Sequence, residues 1–284
     1  MSMRAFVRLV LRNLPSSVLY ELFYQSARAL GIRSYQVGGT AGRYFGPLYD
    51  QSVIKAYLQT GAWSPSILGL FENFFGTQGG TMYDVGANIG LISVPIARNP
   101  RVRVVAFEPD PHNCGLLRAN VIVNDVPVEV VNAAVADKPG TAHFTRSDYN
   151  SGDHRLSTDG PDVVAVVTLD DYPPEAGLFA VKIDTQGAEP LIFRGGEHVL
   201  AKAGLIVTEF WPWGMRRMGL EPDFVLAFAE RYFDHGHVLR HDEAIGEPLT
   251  VAEIIVRLRD VVAAGGETDA VDLVLMRGAT AAGA

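Results

Sequence analysis

The stretch that decides the fold is Thr81-Met82-Tyr83-Asp84-Val85-Gly86-Ala87-Asn88-Ile89-Gly90, an apolar run of strand character that stops at an acid and opens into a glycine loop. A helical pattern follows near 89–98, so the loop joins a first strand to a first helix. In open parallel sheets ligands bind beyond the carboxyl ends of the strands, which makes this loop the expected seat of a nucleotide-like ligand. Gly86 and Gly90 would let the backbone approach it closely. The loop lacks the G-x-G-x-x-G spacing of a dinucleotide-binding oxidoreductase. Asp84 would also repel a pyrophosphate at close range. The same carboxylate suits a ligand that carries an ammonium and a sulfonium, as S-adenosylmethionine does. The alternative is that Asp84 caps the following helix and the glycines only ease packing.

Outward from this stretch, strands are expected at 81–85, 102–107, 127–131, 179–184 and 205–209. Helices near 89–98, 110–123 and 188–202 lie between most of them, the alternation of a parallel sheet. Residues 140–168 break that rhythm with two β-like runs, TAHFT and VVAVV, around a polar loop from Arg146 to Asp162. They read as a hairpin inserted before the fourth main strand. After a helix at 221–232, HVLRH and DLVLM read as closing strands with a helix at 250–263 between them. Upstream, residues 1–45 read as helix running into a loop with Gly38, Gly39, Gly42 and Gly46 that ends at Pro47. Helices at roughly 50–59 and 64–75 follow, with Ser64 as N-cap and Pro65 at the first helical position. The expected organisation is an N-terminal helical extension over 1–78, an α/β domain over 79–277 and a disordered small-residue tail over 278–284.

The chain has 284 residues, 48% hydrophobic and 20% charged, enough for one substantial core. Its 24 basic against 32 acidic residues, net −8, argue against a nucleic-acid partner, which needs a broad basic face. Cys114 is the only cysteine, so neither an intramolecular disulfide nor a thiolate zinc site can form, as suits a reducing cytoplasm, the expected location. No apolar run reaches the roughly 18–20 residues of a transmembrane helix. Arg4, Arg8 and Arg12 interrupt Phe6, Val7, Leu9, Val10 and Leu11 at every fourth position, unlike a secretory signal, and would share one helical face. The favoured reading is a helix docked on its own domain or on the twin subunit of a homodimer. The other is a peripheral membrane contact through residues 1–30.

The second strand ends in Phe107-Glu108-Pro109-Asp110, about twenty residues beyond Gly86, where an acid can accept both ribose hydroxyls of an adenosine. Pro109 removes a donor and is expected to start the next helix. Asn132-Ala133-Ala134-Val135 follows the third strand, and its small side chains either line an adenine pocket or simply pack. Lys182, Asp184 and Glu189 cluster at the end of the fourth strand. Alternation puts Lys182 and Asp184 on one side of it, where an ion pair is the plain alternative to a ligand role.

Five segments, DVGANIG (84–90), FEPDP (107–111), NAAVADKPG (132–140), TLDDY (168–172) and KIDTQGAEPLIFRGG (182–196), together resemble the FkbM-type family of S-adenosylmethionine-dependent methyltransferases. The likeness covers roughly residues 80–210; residues 1–50 and 210–284 carry no matching motif. Pro190 departs from the usual residue after Glu189. What the resemblance implies is a Rossmann-like class I methyltransferase fold, a mostly parallel seven-stranded sheet with helices on both faces. It also implies S-adenosyl-L-methionine as cofactor and O-methylation of a small-molecule hydroxyl, on a sugar, glycoside or polyketide-type product of secondary metabolism.

On this reading Asp84, Gly86, Asn88, Gly90, Glu108, Pro109, Ala133 and Asp184 hold the cofactor. Methyl transfer needs alignment of acceptor oxygen, methyl carbon and sulfur, and the alcohol must lose its proton. Asp184, Glu209 and His154 are the catalytic candidates. Their bland alternatives are ordering of the KIDTQG turn, a plain strand end and a solvated loop histidine. Gly187 is expected to supply a positive φ or a close approach to the ligand. Phe210-Trp211-Pro212-Trp213 either walls the acceptor pocket or packs the following helix. His235, His237 and His241 crowd together, but no acid stands at zinc-site spacing, and no metal is expected. The rival functions are an NAD-type oxidoreductase and a cofactor-binding interaction protein without catalysis.

Overall fold

The structure, a computed structural model of the chain, describes residues 15–240, 243 and 245–278. Arg4, Arg8, Arg12, His241 and residues 279–284 of the expected tail lie outside these.

The glycine loop lies between β3 (Gly80–Val85) and a single short helical turn, α4 (Ser93–Ile96), rather than the longer helix expected at 89–98. Asn88 and Gly90 hold left-handed φ values of 51° and 89°, which keeps the chain out of the helical region until after Gly90. The remaining main strands are β4 (Val102–Phe107), β5 (Val128–Val131), β10 (Phe179–Ile183), β11 (Leu205–Phe210), β12 (His235–Leu239), β13 (Leu249–Thr250) and β14 (Val271–Met276). They form one sheet in the order β13-β12-β14-β11-β10-β3-β4-β5. The strands β11, β10, β3, β4 and β5 are mutually parallel, and β14 runs antiparallel between β11 and β12. This is the expected class I methyltransferase sheet, with one correction to the count. Leu249 and Thr250 pair with Gly236 and His235, adding an eighth strand at the edge.

The chain leaves β3 toward β4 and β5 and returns on the other side as β10 and β11, so β3 and β10 flank the switch point where a crevice must open. Most residues of β3, β4, β10 and β11 are buried, as expected for parallel strands covered on both faces. Tyr83, Val85, Val181 and Ile183 face the side packed by Phe193, Phe210 and Phe228. Met82, Val104, Ala180 and Val207 face Phe71, Phe75 and Ile96, from the other helical layer.

The inserted hairpin grows into a separate four-stranded sheet in the order β6-β9-β7-β8, from β6 (Ala134–Val135), β7 (Gly140–Thr145), β8 (Arg155–Leu156) and β9 (Asp162–Val167). It sends Phe144, Leu156, Val164 and Val166 into the main core. The helix after β4, α5 (Pro111–Asn124), starts two residues later than Pro109 suggested, because Asp110 is the cap. Its carboxylate accepts the N–H groups of His112 and Asn113 at 2.9 and 2.8 Å. The helix expected at 188–202 is split into α6 (Glu189–Gly195) and α7 (Glu197–Leu200). Beyond β11 come α8 (Pro212–Arg217), α9 (Asp223–Tyr232) and α10 (Val251–Ala264).

Upstream lie α1 (Ser16–Ala29), α2 (Val53–Thr60) and α3 (Pro65–Phe75), but the expected glycine loop is an antiparallel hairpin, β1 (Ser34–Gly39) and β2 (Gly42–Pro47). The outer edge of β2 is satisfied by a helix acting as a strand. Asn120 and Asn124, one turn apart on α5, each donate to and accept from the backbone of Phe45 and Arg43, at 2.6–3.0 Å. Ser64 sits at φ 41° and makes no capping hydrogen bond, although Pro65 does begin α3. Val37, Tyr44, Ile54 and Tyr57 share a buried cluster with Ile89, Leu91 and Val94, which seats this upstream unit against the glycine loop.

Candidate active site

Register builds the site. Asp84 on β3 stands opposite Lys182 on β10, so the two side chains share a face. One residue beyond the last paired positions of β10 and β11, Ile183 and Thr208, come Asp184 and Glu209. Lys182 Nζ lies 3.4 Å from Asp84 and 3.5 Å from Asp184, and donates to the Gly86 carbonyl at 3.0 Å. Burial works against the ammonium, but the charges of Asp184 and Asp84 outweigh it and raise the Lys182 pKa. Lysine is therefore a fixed internal cation rather than a free one. Asp84 is wholly buried; Ser93 Oγ donates to its Oδ2, while its Oδ1 is the atom that faces Lys182 Nζ.

A cleft of about 830 Å³, counted to its open mouth, lies over these residues. Asp84, Gly86, Asn88, Glu108, Pro109, Ala133 and Asp184 all line it, as expected from the sequence. Gly90 does not. Its φ of 89° serves packing, since a Cβ there would stand 2.4 Å from Leu117 Cδ1. Glu108 is buried, its Oε2 accepting the Asn88 N–H at 2.8 Å and its Oε1 the Asp110 N–H at 2.9 Å. Burial pushes its pKa up to about 8 against the pull of those two donors. Each oxygen keeps a lone pair for hydroxyl donors. Ala133, Ala134 and Val135 with Phe144 and Leu156 give the cleft an apolar wall, to which the inserted sheet contributes.

The polar loop from Arg146 to Asp162, which lids the cleft through Ser151, Gly152, His154 and Arg155, is tied down at three points. Ser151 Oγ donates to Asp50 Oδ2 and sits 3.3 Å from Asn88 Nδ2. Arg146 pairs with Asp110 and, at 3.1 Å, with Asp162. His154 lines the cleft, yet neither ring nitrogen is available as a base. Nδ1 accepts the Ser147 N–H at 3.0 Å and Nε2 lies 3.1 Å from the Tyr49 hydroxyl. Burial lowers its pKa, so the ring is a neutral clamp in the lid.

A second cavity of about 870 Å³ adjoins the first, sharing Val53, Trp63, Ile92, Gly152, Lys182 and Asp184 with it and adding Gln186, Glu209 and Asp272. Gln186 Nε2 donates to Asp184 Oδ1 and to Glu209 Oε2, both at 3.1 Å, from a backbone held at φ 62°. Burial, then the charges of Asp184, Glu189 and Asp272, raise the Glu209 pKa well above the usual carboxylate range. Glu189, fully buried, lines neither cavity. Its Oε1 accepts the Thr185 N–H and hydroxyl at 3.0 and 2.8 Å, closing the KIDTQG turn. Gly187 has the positive φ expected, 111°, but the close approach is to the Gly214 backbone, 2.5 Å from an added Cβ, rather than to a ligand.

The sequence missed Trp63 and Val53, both walls of the two cavities, and Asp50, which accepts the N–H groups of Ser52 and Val53 at 2.7 and 2.8 Å. The Asp50-Gln51-Ser52 start of a helix was a readable signal for Asp50; Trp63 offered none. Phe210, Trp211 and Trp213 wall neither cavity. Phe210 is core, and Trp211 donates its indole N–H to the Glu267 carbonyl while Arg217 lies 5.0 and 4.9 Å from the two indole rings. His235 and His237 lie on β12, which is separated from β11 by β14.

The methyltransferase FkbM domain matches residues 84–244, more than half of the chain. The 2-O-methyltransferase NoeI of Sinorhizobium fredii is 29% identical over 150 residues, 45% of this chain and 61% of that protein. The 31-O-demethyl-FK506 methyltransferase FkbM of Streptomyces tacrolimicus is 40% identical over 68 residues, 24% of this chain and 26% of that one. The matches thus span less than two thirds of either relative. Magnesium protoporphyrin IX methyltransferase from Synechocystis PCC 6803, solved with bound SAM, overlays with a TM-score of 0.41 at 11% identity, over 76% of this chain and 78% of that one. With the domain matched from the acid of the glycine loop to beyond β12, the chain belongs to the FkbM methyltransferase domain family.

Proposed function

We propose that this chain transfers a methyl group from S-adenosyl-L-methionine to a hydroxyl of a small molecule, a sugar, glycoside or polyketide-type alcohol. The observation that carries the reading is the pair of adjoining cavities that share Lys182 and Asp184, one with a ribose-type acid and an apolar wall, the other with paired carboxylates. The relatives' names, two O-methyltransferases, support the hydroxyl acceptor.

The residues fit an adenosyl ligand on their own terms. Glu108 is held by backbone donors with acceptor capacity left for a diol, and Asp84 is wholly buried at the cleft with its Oδ1 3.4 Å from Lys182 Nζ. When bound, the cofactor supplies an electrophilic methyl group. Glu108 and Ala133 would hold its adenosine, and Asp84 and Asp184, with Gly86 and Asn88, its amino-acid portion. Asp184 stands ready to accept the acceptor's proton, and Glu209 is the second candidate once ionised, with Gln186 fixing their spacing. A pyrophosphate-bearing cofactor fits poorly, because Lys182 is already neutralised by two carboxylates.

In this reading residues up to 78 cap the site of a domain over 79–277, and the protein acts in the cytoplasm without nucleic acid, as a monomer or homodimer. Isothermal titration with S-adenosylhomocysteine and with NAD tests the cofactor, and binding of NAD alone would overturn the proposal. Transfer of labelled methyl to a panel of glycosides and polyketide alcohols tests the chemistry; binding without transfer to any alcohol favours the silent interaction protein.

A further inference from the structure

Charge is distributed unevenly along this chain. Residues 1–49 hold six arginines and one acid, Glu21, whereas the whole chain is net −8, so an arm of +5 is joined to a body of −13. The described part of the arm is also apolar where a surface should be polar. Helix α1 packs inward through Tyr20 and Ala27, and Phe23 meets Tyr35 edge to face at 5.2 Å. Facing outward are Val18, Leu22, Leu30 and Ile32, exposed by 41, 51, 78 and 42%. Val18 and Leu22 stand one turn apart on the exposed side, with Arg28 and Arg33 exposed close by in sequence. Arg4, Arg8 and Arg12 lie outside the described residues and add their charge ahead of the helix.

We infer that α1 and the turn after it form a docking surface for an anionic phospholipid bilayer. Two opposed charges decide between the occupants. A twofold contact of this face with a second copy would set Arg28 and Arg33 of one copy against those of the other, which costs energy at close range. An anionic bilayer attracts the arm and repels the −13 body, so a single orientation results, with apolar side chains entering the headgroup layer. Each arginine near such a surface adds roughly five-fold to the partition coefficient, and salt removes that gain. Among the described residues no helix is long and apolar enough to cross a membrane, so the contact is peripheral. The second cavity is lined in part by Ser52, Trp63 and Ser64, which follow the arm in the chain.

The test is co-sedimentation of the full chain with vesicles of phosphatidylcholine alone and with about 30% phosphatidylglycerol, at about 0.05 and 0.5 M salt. At least about five-fold more protein should pellet with the anionic vesicles at low salt, and the excess should vanish at high salt. The double variant Leu22→Glu, Leu30→Glu should lose most of this binding, while Arg28→Gln with Arg33→Gln should lose a smaller part. Circular dichroism melts confirm that each variant is folded, and the assay needs neither cofactor nor acceptor, so it stands apart from the proposed reaction. Equal pelleting with neutral vesicles, or undiminished binding by the leucine variant, overturns the inference. So does a dimer, seen by light scattering, that the leucine substitutions dissociate.

Discussion

The backbone N–H of Asn88 donates to Glu108 Oε2 at 2.8 Å, which makes the glycine loop after β3 and the acid ending β4 a single hydrogen-bonded unit. With Asp110 N–H on the other oxygen, the carboxylate cannot turn away from the cleft. A hydrogen bond to a charged group contributes about 1.5–3 kcal/mol. Glu108→Ala should therefore weaken S-adenosylhomocysteine binding by about tenfold or more, read by isothermal titration. Because burial raises this pKa to about 8, the ionised acceptor form gains population as pH rises toward that value. Affinity should rise with pH through this range, and the rise should flatten in Glu108→Gln. Unchanged affinity in Glu108→Ala means that no diol sits there.

Glu189 links stability to pH. Burial raises its pKa to about 7, against the Thr185 donors that favour the charged form. A folded state that holds a proton more tightly than the unfolded chain is most stable below the ordinary carboxylate range. That part of the stability is lost as pH rises through about 7. Glu189→Gln mimics the protonated form and should flatten the slope of melting temperature against pH between about 5.5 and 8.5. A slope identical to the parent's would assign the pH dependence to other groups.

Much of this was legible before any coordinates, for a physical reason. Strand-loop-helix units announce themselves through apolar runs, and ligand-facing residues cluster at strand ends, so Asp84, Glu108 and Asp184 could be placed from spacing alone. What stayed hidden depends on contacts distant in sequence. Asn120 and Asn124 reveal their role only once β2 lies beside α5, 75 and 81 residues away. Trp63 becomes a cavity wall through packing, and no local pattern marks it. His154 read as either a loop base or a solvated histidine, because its partners, Ser147 and Tyr49, are named only by the fold. Gly90 read either as a close approach to the ligand or as relief for packing, and only the fold names Leu117 as what lies opposite it.

Gln186 should be intolerant of a charge that its neighbours already carry. Its amide spans two carboxylates, and Gln186→Glu would replace the shared donor with a third acceptor. About 1–3 kcal/mol of stability should be lost near pH 8, a drop of several degrees in melting temperature. Near pH 5.5 the loss should shrink, because an added proton restores one donor. A loss that is the same at both values would show that the bridge contributes nothing electrostatic.

Gly86 and Gly115 give opposite results on the same substitution. At Gly86 the chain runs at φ 77°, and an added Cβ would stand 1.9 Å from the Asp184 carbonyl oxygen. That atom belongs to the backbone that follows β10, so relief requires β3 and β10 to separate at the switch point. Gly86→Ala should cost about 3 kcal/mol or more and abolish S-adenosylhomocysteine binding. Gly115 lies within α5, and nothing approaches within 4 Å of its added Cβ. There alanine restricts the unfolded chain and suits the helix, so Gly115→Ala should stabilise by about 0.5–1 kcal/mol with binding unchanged. Urea unfolding of the two variants beside the parent decides the matter. Equal effects at the two positions would mean that the close approach of β3 and β10 does not exist in solution.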